Sequence, residues 1–63
     1  MGEQMTFKAW LVQHKVPQRE IANLLGVSLA IVNAKLNGRS DFTLSQIKTI
    51  CNKYNLSADI FLI

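Results

Sequence analysis

A chain of 63 residues with a formal net charge of +3 is a single small domain, near the lower limit of what folds alone, and this excludes a two-domain enzyme. Its 49% apolar and 17% charged residues exclude intrinsic disorder, which needs low hydrophobicity and high net charge. The one cysteine, Cys51, allows no intrachain disulfide, so the fold has to rest on its core.

The first element is expected over Thr6 to Lys15, where Phe7, Trp10, Leu11 and His14 fall at i, i+3, i+4 and i+7 on one helical face. The second begins at Pro17, whose missing N–H costs nothing at a helix start. Glu20 lies in its first turn, where the helix dipole favours a negative charge. Val16 and Ile21 have the spacing of a hydrophobic staple around Pro17 as N-cap. Ile21, Leu24 and Leu25 form its apolar stripe, and Gly26 ends it with a residue that tolerates positive φ.

Ser28 is a good N-cap for the third helix, Leu29 to Asn37, with Val32 and Leu36 on one face and Gly38 after its end. The fourth start is the clearest. Thr43 and Gln46 form a capping box, and Phe42 with Ile47 matches its staple. Leu44, Ile47, Ile50, Cys51 and Tyr54 continue the apolar face. Ser57 caps a last short turn that packs Ile60, Phe61 and Leu62 back on the domain. No window alternates with period two, so no strand is expected. The predicted fold is all-α, one domain over residues 1–63, with helices at about 6–15, 18–25, 29–37 and 44–54 and a turn at 58–61.

The informative segment is Gln18 to Lys35, QREIANLLGVSLAIVNAK. Two helices flank a tight turn at Gly26-Val27, as in a helix-turn-helix. Ala22 is small enough for the second helix to approach, and Ile21, Leu25, Val27 and Val32 fill the angle between them.

With Gln18, Ala22, Gly26-Val27-Ser28, Val32 and Asn37-Gly38 in order, the chain resembles the Cro/C1-type (XRE-like) helix-turn-helix repressors of bacteria and their phages, over about Phe7 to Phe61. The string KLNGRSDFTL, Lys35 to Leu44, is similar to a phage or prophage subset of low-GC Gram-positive bacteria. The resemblance implies a compact, lambda-repressor-like domain of four to five helices. Where that family usually has an apolar residue this chain has Lys35, as if Lys35 and Leu36 were exchanged. Its alkyl stem could cross the core edge and its ammonium reach a phosphate.

Charge placement points the same way. Lys15, Arg19, Lys35 and Arg39 oppose Glu20 alone between residues 15 and 39, while Lys8, Lys48 and Lys53 are balanced by Glu3, Asp41 and Asp59. The whole excess of +3 therefore falls on the motif, where it attracts a phosphate backbone.

The resemblance further implies that the third helix enters the major groove of double-stranded DNA. Leu29, Ala30 and Ala34 then occupy base-reading positions, with Ser28 and Asn33 flanking them, and Asn33 is counted among the base readers. Gln18 and Asn37 match phosphate-holding positions; Arg19, Ser28, Lys35 and Arg39 join them as phosphate contacts. Leu29 and Ala30 stand where the family often has glutamine, so thymine methyls and DNA shape should weigh more than bidentate hydrogen bonds.

The remaining residues read more plainly. His14 has no second histidine and is expected to be structural or half-exposed; Cys51 has no ligand partner and is expected to be a packed core thiol, with Phe7 and Trp10 also in the core. No cofactor, metal or small-molecule ligand is expected, and no paired carboxylate, nucleophile–base set or phosphate loop suggests an enzyme. No apolar run exceeds four residues, against roughly 20 for a bilayer span. A soluble, cytoplasmic protein is therefore expected. Ile60 and Phe61 should dock on the first and fourth helices, or Phe61, Leu62 and Ile63 should form part of a weak homodimer on a palindromic operator. The alternative to DNA binding is a protein-interaction module of antirepressor or antitoxin type, suggested by the apolar run Leu29-Ala30-Ile31-Val32.

Overall fold

Four side-chain and backbone signals start the four helices, and one backbone closure ends them all. The computed structural model describes residues 6–61. The helices are α1 (Phe7–Gln13), α2 (Gln18–Leu25), α3 (Leu29–Leu36) and α4 (Leu44–Tyr54), followed by a 3-10 turn at Ala58–Phe61. The described chain is all-helical, without strands.

Thr6 and Ser28 accept hydrogen bonds from the Ala9 and Ile31 N–H groups at 3.1 and 3.2 Å, which satisfies donors that the first helical turn leaves open. Thr43 and Gln46 form the full reciprocal box, at 3.1 Å and 3.0 Å. Pro17 caps α2 in an extended conformation with no side-chain bond, and Glu20 lies in that first turn. The half-buried Val16 packs against the core.

At each C-terminus one residue adopts positive φ, and the next N–H reaches back five residues. Lys15 (φ 57), Gly26 (φ 70), Gly38 (φ 82) and Asn55 (φ 57) are the four residues. The bonds are Val16 to Leu11, Val27 to Ala22, Arg39 to Ala34 and Leu56 to Cys51, at 2.9, 3.0, 2.9 and 3.0 Å. This corrects two expected ends. The first helix stops at Gln13 rather than Lys15, because Lys15 is the left-handed residue that turns the chain toward Pro17. The third stops at Leu36, with Asn37 as its cap.

The core is apolar throughout: Phe7, Leu11, Ile21, Ala22, Val32 and Ile50 are buried, and no buried residue among those described is polar or charged. Ala22 is 4% exposed, as close approach of the helices requires, and Leu25 and Val27 pack half-buried beside it. Two expected members of apolar faces lie outside. Leu44 is 69% exposed, because it is the first residue of α4 and points away from the core despite fitting the helical period. His14 is exposed past the end of α1, its ring stacked on Trp10 at 4.4 Å.

The terminal turn docks through aromatic rings. Phe61 lies 4.8 Å from Phe7 and 5.5 Å from Phe42, and Phe42 meets Phe7 edge-on at 5.9 Å. Ile60 packs against the same core. Leu62 and Ile63, invoked for a dimer contact, lie outside the described residues. Trp10 meets Tyr54 at 5.2 Å. The Tyr54 hydroxyl donates to the Glu20 carboxylate and ties α4 to α2. Burial first, then this bond and the nearby negative charge, push the Tyr54 hydroxyl up from 10.0 to about 12.

Candidate nucleic-acid interface

Gly26 directs α3 away from α2. A Cβ at this position would meet nothing within 4 Å, so its positive φ, rather than space, is what calls for glycine. Once the turn is set, the 3.6-residue period assigns the faces of α3. Val32 goes fully inward with 0% exposure, while Leu29, Ala30, Ile31 and Asn33 are exposed. The apolar run at 29–32 is thus split between core and surface.

A shallow surface depression of about 450 Å³ lies along this outer face, lined by Gln18, Leu29, Ala30, Asn33, Ala34 and Arg39. The four residues expected to read bases therefore share one surface with two expected to hold phosphates. Gln18 comes from the first turn of α2, and Arg39 from the segment just after Gly38. The Arg39 N–H bond to Ala34 holds that segment against the end of α3. The polar side chains are linked. Asn33 Nδ2 donates to Gln18 Oε1 at 3.3 Å, and Asn37 Nδ2 donates to Asn33 Oδ1 at 3.0 Å.

The other expected phosphate contacts lie elsewhere. Arg19 is exposed on the first turn of α2, outside the lining of the depression. Ser28 is exposed, and its oxygen accepts the Ile31 N–H, so its hydroxyl hydrogen is what remains for a ligand. Lys35 is turned to a different surface. Its ammonium donates to the Asp41 carbonyl at 2.8 Å and stands 5.8 Å from the centroid of the Phe42 ring. With Lys8, Phe7, Phe42 and Phe61 it lines a separate groove of about 710 Å³.

Sequence reasoning missed Lys8. Its charge cancelled in the balance outside the motif, yet its ammonium donates to Asn37 Oδ1 at 2.8 Å and so joins the linked polar side chains. No local signal announces a contact across 29 positions of sequence.

Cys51 is a half-buried free thiol. Among the described residues no group of three His, Cys, Asp or Glu side chains could hold a metal, and no helix is long and apolar enough to cross a membrane.

Neither the curated proteins nor the solved structures include a match to this chain. The family model of the BetR domain matches residues 3–63, nearly the whole sequence. The small helical domain, with its glycine turn and exposed α3 face, belongs to the BetR domain family.

Proposed function

We propose that this domain is a sequence-specific DNA-binding transcriptional regulator of the Cro/C1 type, a Cro-like protein or repressor of phage or prophage origin acting in the cytoplasm of a bacterial or phage-infected cell. The observation that carries the reading is the composition of the outer α3 face. Gln18, Leu29, Ala30, Asn33, Ala34 and Arg39 share one shallow surface, on the stretch that carries the chain's whole excess of positive charge. BetR membership agrees with a regulatory or DNA-binding role.

In this reading α3 lies in the major groove, and Leu29, Ala30 and Ala34 meet thymine methyls or the groove floor. Asn33 offers an amide to a base edge, while Arg39, Arg19, the first-turn N–H groups of α2 near Gln18 and the Asn37 side chain hold phosphates. Few cations means few phosphate contacts, so one copy binds weakly, and pairing of two copies on a palindrome supplies the rest. In this reading the domain acts by binding rather than by catalysis.

Selection of bound sequences from random duplex DNA at physiological salt tests this. The expected result is a palindrome with half-sites about 10–10.5 base pairs apart, and a mobility shift that weakens steeply as salt rises. A second reading rests on Leu29 and Ile31, each 44% exposed. They would suit a face that binds another regulator. Tight binding to a protein partner that survives high salt, with no DNA shift, would favour it over the first.

A further inference from the structure

The linked side chains on the α3 face have a direction, and Lys8 supplies it. Lys8 Nζ donates to Asn37 Oδ1 at 2.8 Å, Asn37 Nδ2 to Asn33 Oδ1 at 3.0 Å, and Asn33 Nδ2 to Gln18 Oε1 at 3.3 Å. A row of primary amides alone could run either way, since each has an acceptor at one edge and a donor at the other. An ammonium has three donors and no acceptor. The Asn37 atom facing Lys8 must therefore be oxygen, which turns the Asn37 nitrogen toward Asn33. Asn33 must answer with oxygen, so its own nitrogen faces Gln18, and Gln18 must answer with oxygen in turn.

We infer that Lys8 is a positioning residue for the DNA interface, fixing through Asn37 which edge of the Asn33 and Gln18 amides donates to the duplex. The inference rests on the DNA-binding reading above. With the row in this direction, Gln18 keeps both N–H hydrogens for an acceptor, which suits a phosphate oxygen. Asn33 keeps one N–H and one carbonyl lone pair side by side. That pair is complementary to adenine, whose N7 accepts and whose N6 amino group donates in the major groove. With the row reversed at the same docked position, oxygen would face N7 and nitrogen would face the amino group. Lys8 thereby acts on specificity from α1, an element that supplies none of the residues lining the depression.

The test uses the full 63-residue chain as wild type, Lys8→Met and Lys8→Arg. Three quantities are read: side-chain amide NMR signals without DNA, sequence selected from random duplexes, and the dependence of affinity on salt. Because Lys8 is exposed, Lys8→Met is expected to keep the helical circular dichroism and melting of the wild type. The side-chain amide signals of Asn37, Asn33 and Gln18 should shift in the free protein. Preference for adenine at one position of each half-site should fall about 3- to 10-fold, the worth of one hydrogen bond. The salt slope should stay at the wild-type value, and Lys8→Arg, also a pure donor, should restore the preference.

Two results overturn the role of Lys8 while leaving DNA binding standing. In one, Lys8→Met selects the same sequence with undiminished discrimination. In the other, it weakens all sequences alike and lowers the salt slope by about 1, as loss of a plain phosphate contact does. A wild-type chain that binds no duplex at low salt overturns the DNA-binding reading itself, and this inference with it.

Discussion

Around Phe7, the rings of Trp10, Phe42 and Phe61 lie within 6.1 Å, and Phe7 itself is 4% exposed. Along α3, Leu29, Ala30 and Asn33 are exposed, and the polar side chains bond to one another at the surface. The first region orders residues from opposite ends of the described chain; the second is built almost entirely from residues 18–39. The difference separates two jobs. Packing of α1, α4 and the terminal turn around Ile21, Ala22 and the inward Val32 holds the domain together, while the outer α3 face is left with little packing to protect. Substitutions there can change what is bound without changing whether the chain folds.

Phe7→Ala is the strongest way to test that division. It should cost about 3–5 kcal/mol, a large part of the 5–15 kcal/mol typical of a whole domain, and lower the thermal midpoint sharply or abolish cooperative melting. On the α3 face, Asn33→Ala should alter base preference by about 1–3 kcal/mol of discrimination with nearly unchanged melting. Arg39→Ala should weaken all sequences alike and lower the salt slope by about 1. Equal shifts in base preference for these two variants would remove the assignment of separate roles.

The turns that join the regions should respond less. Gly26→Ala is expected to cost about 1–2 kcal/mol in chemical denaturation, because the added Cβ meets empty space and only the left-handed backbone resists it. Lys15→Gly should stabilise by up to about 1 kcal/mol, since Lys15 already holds φ 57.

The Tyr54–Glu20 bond, which ties α4 to α2, is tested in alkali. A tyrosine raised from 10.0 to about 12 contributes stability that is complete below pH 10 and is lost as pH rises through about 12. Over that window the denaturation midpoint of the wild type should fall faster than that of Tyr54→Phe.

Much of this organisation was legible in the chain because it is local. Ser28, the Thr43–Gln46 box, Gly26 and Gly38 act within a few residues of themselves, and each marks a boundary of α2, α3 or α4. Lys15 gave no such signal. Lysine is a good helix former with no preference for positive φ, and the turn toward Pro17 imposes that conformation on it. Leu44 fitted the period but stands at the first residue of α4, where the period alone does not fix which way a side chain faces. For the candidate site, Gln18, Leu29, Ala30, Asn33 and Ala34 share one surface because they lie on two adjacent helices, and Arg39 joins them from the segment that closes α3. Lys8 and Lys35 were harder to place. The long side chain of each finds a partner, Asn37 or the Asp41 carbonyl and Phe42 ring, that depends on tertiary packing.

The docking of Phe61 on Phe7 also bears on how the domain is made. Synthesis is vectorial, and helices α2 and α3 can form their mutual contacts as soon as both have left the ribosome. Phe7 emerges before either of them but must wait for its last aromatic neighbour until the terminal turn has been translated. During that interval its ring is only partly covered, so contact between α2 and α3 can precede completion of the aromatic cluster around Phe7.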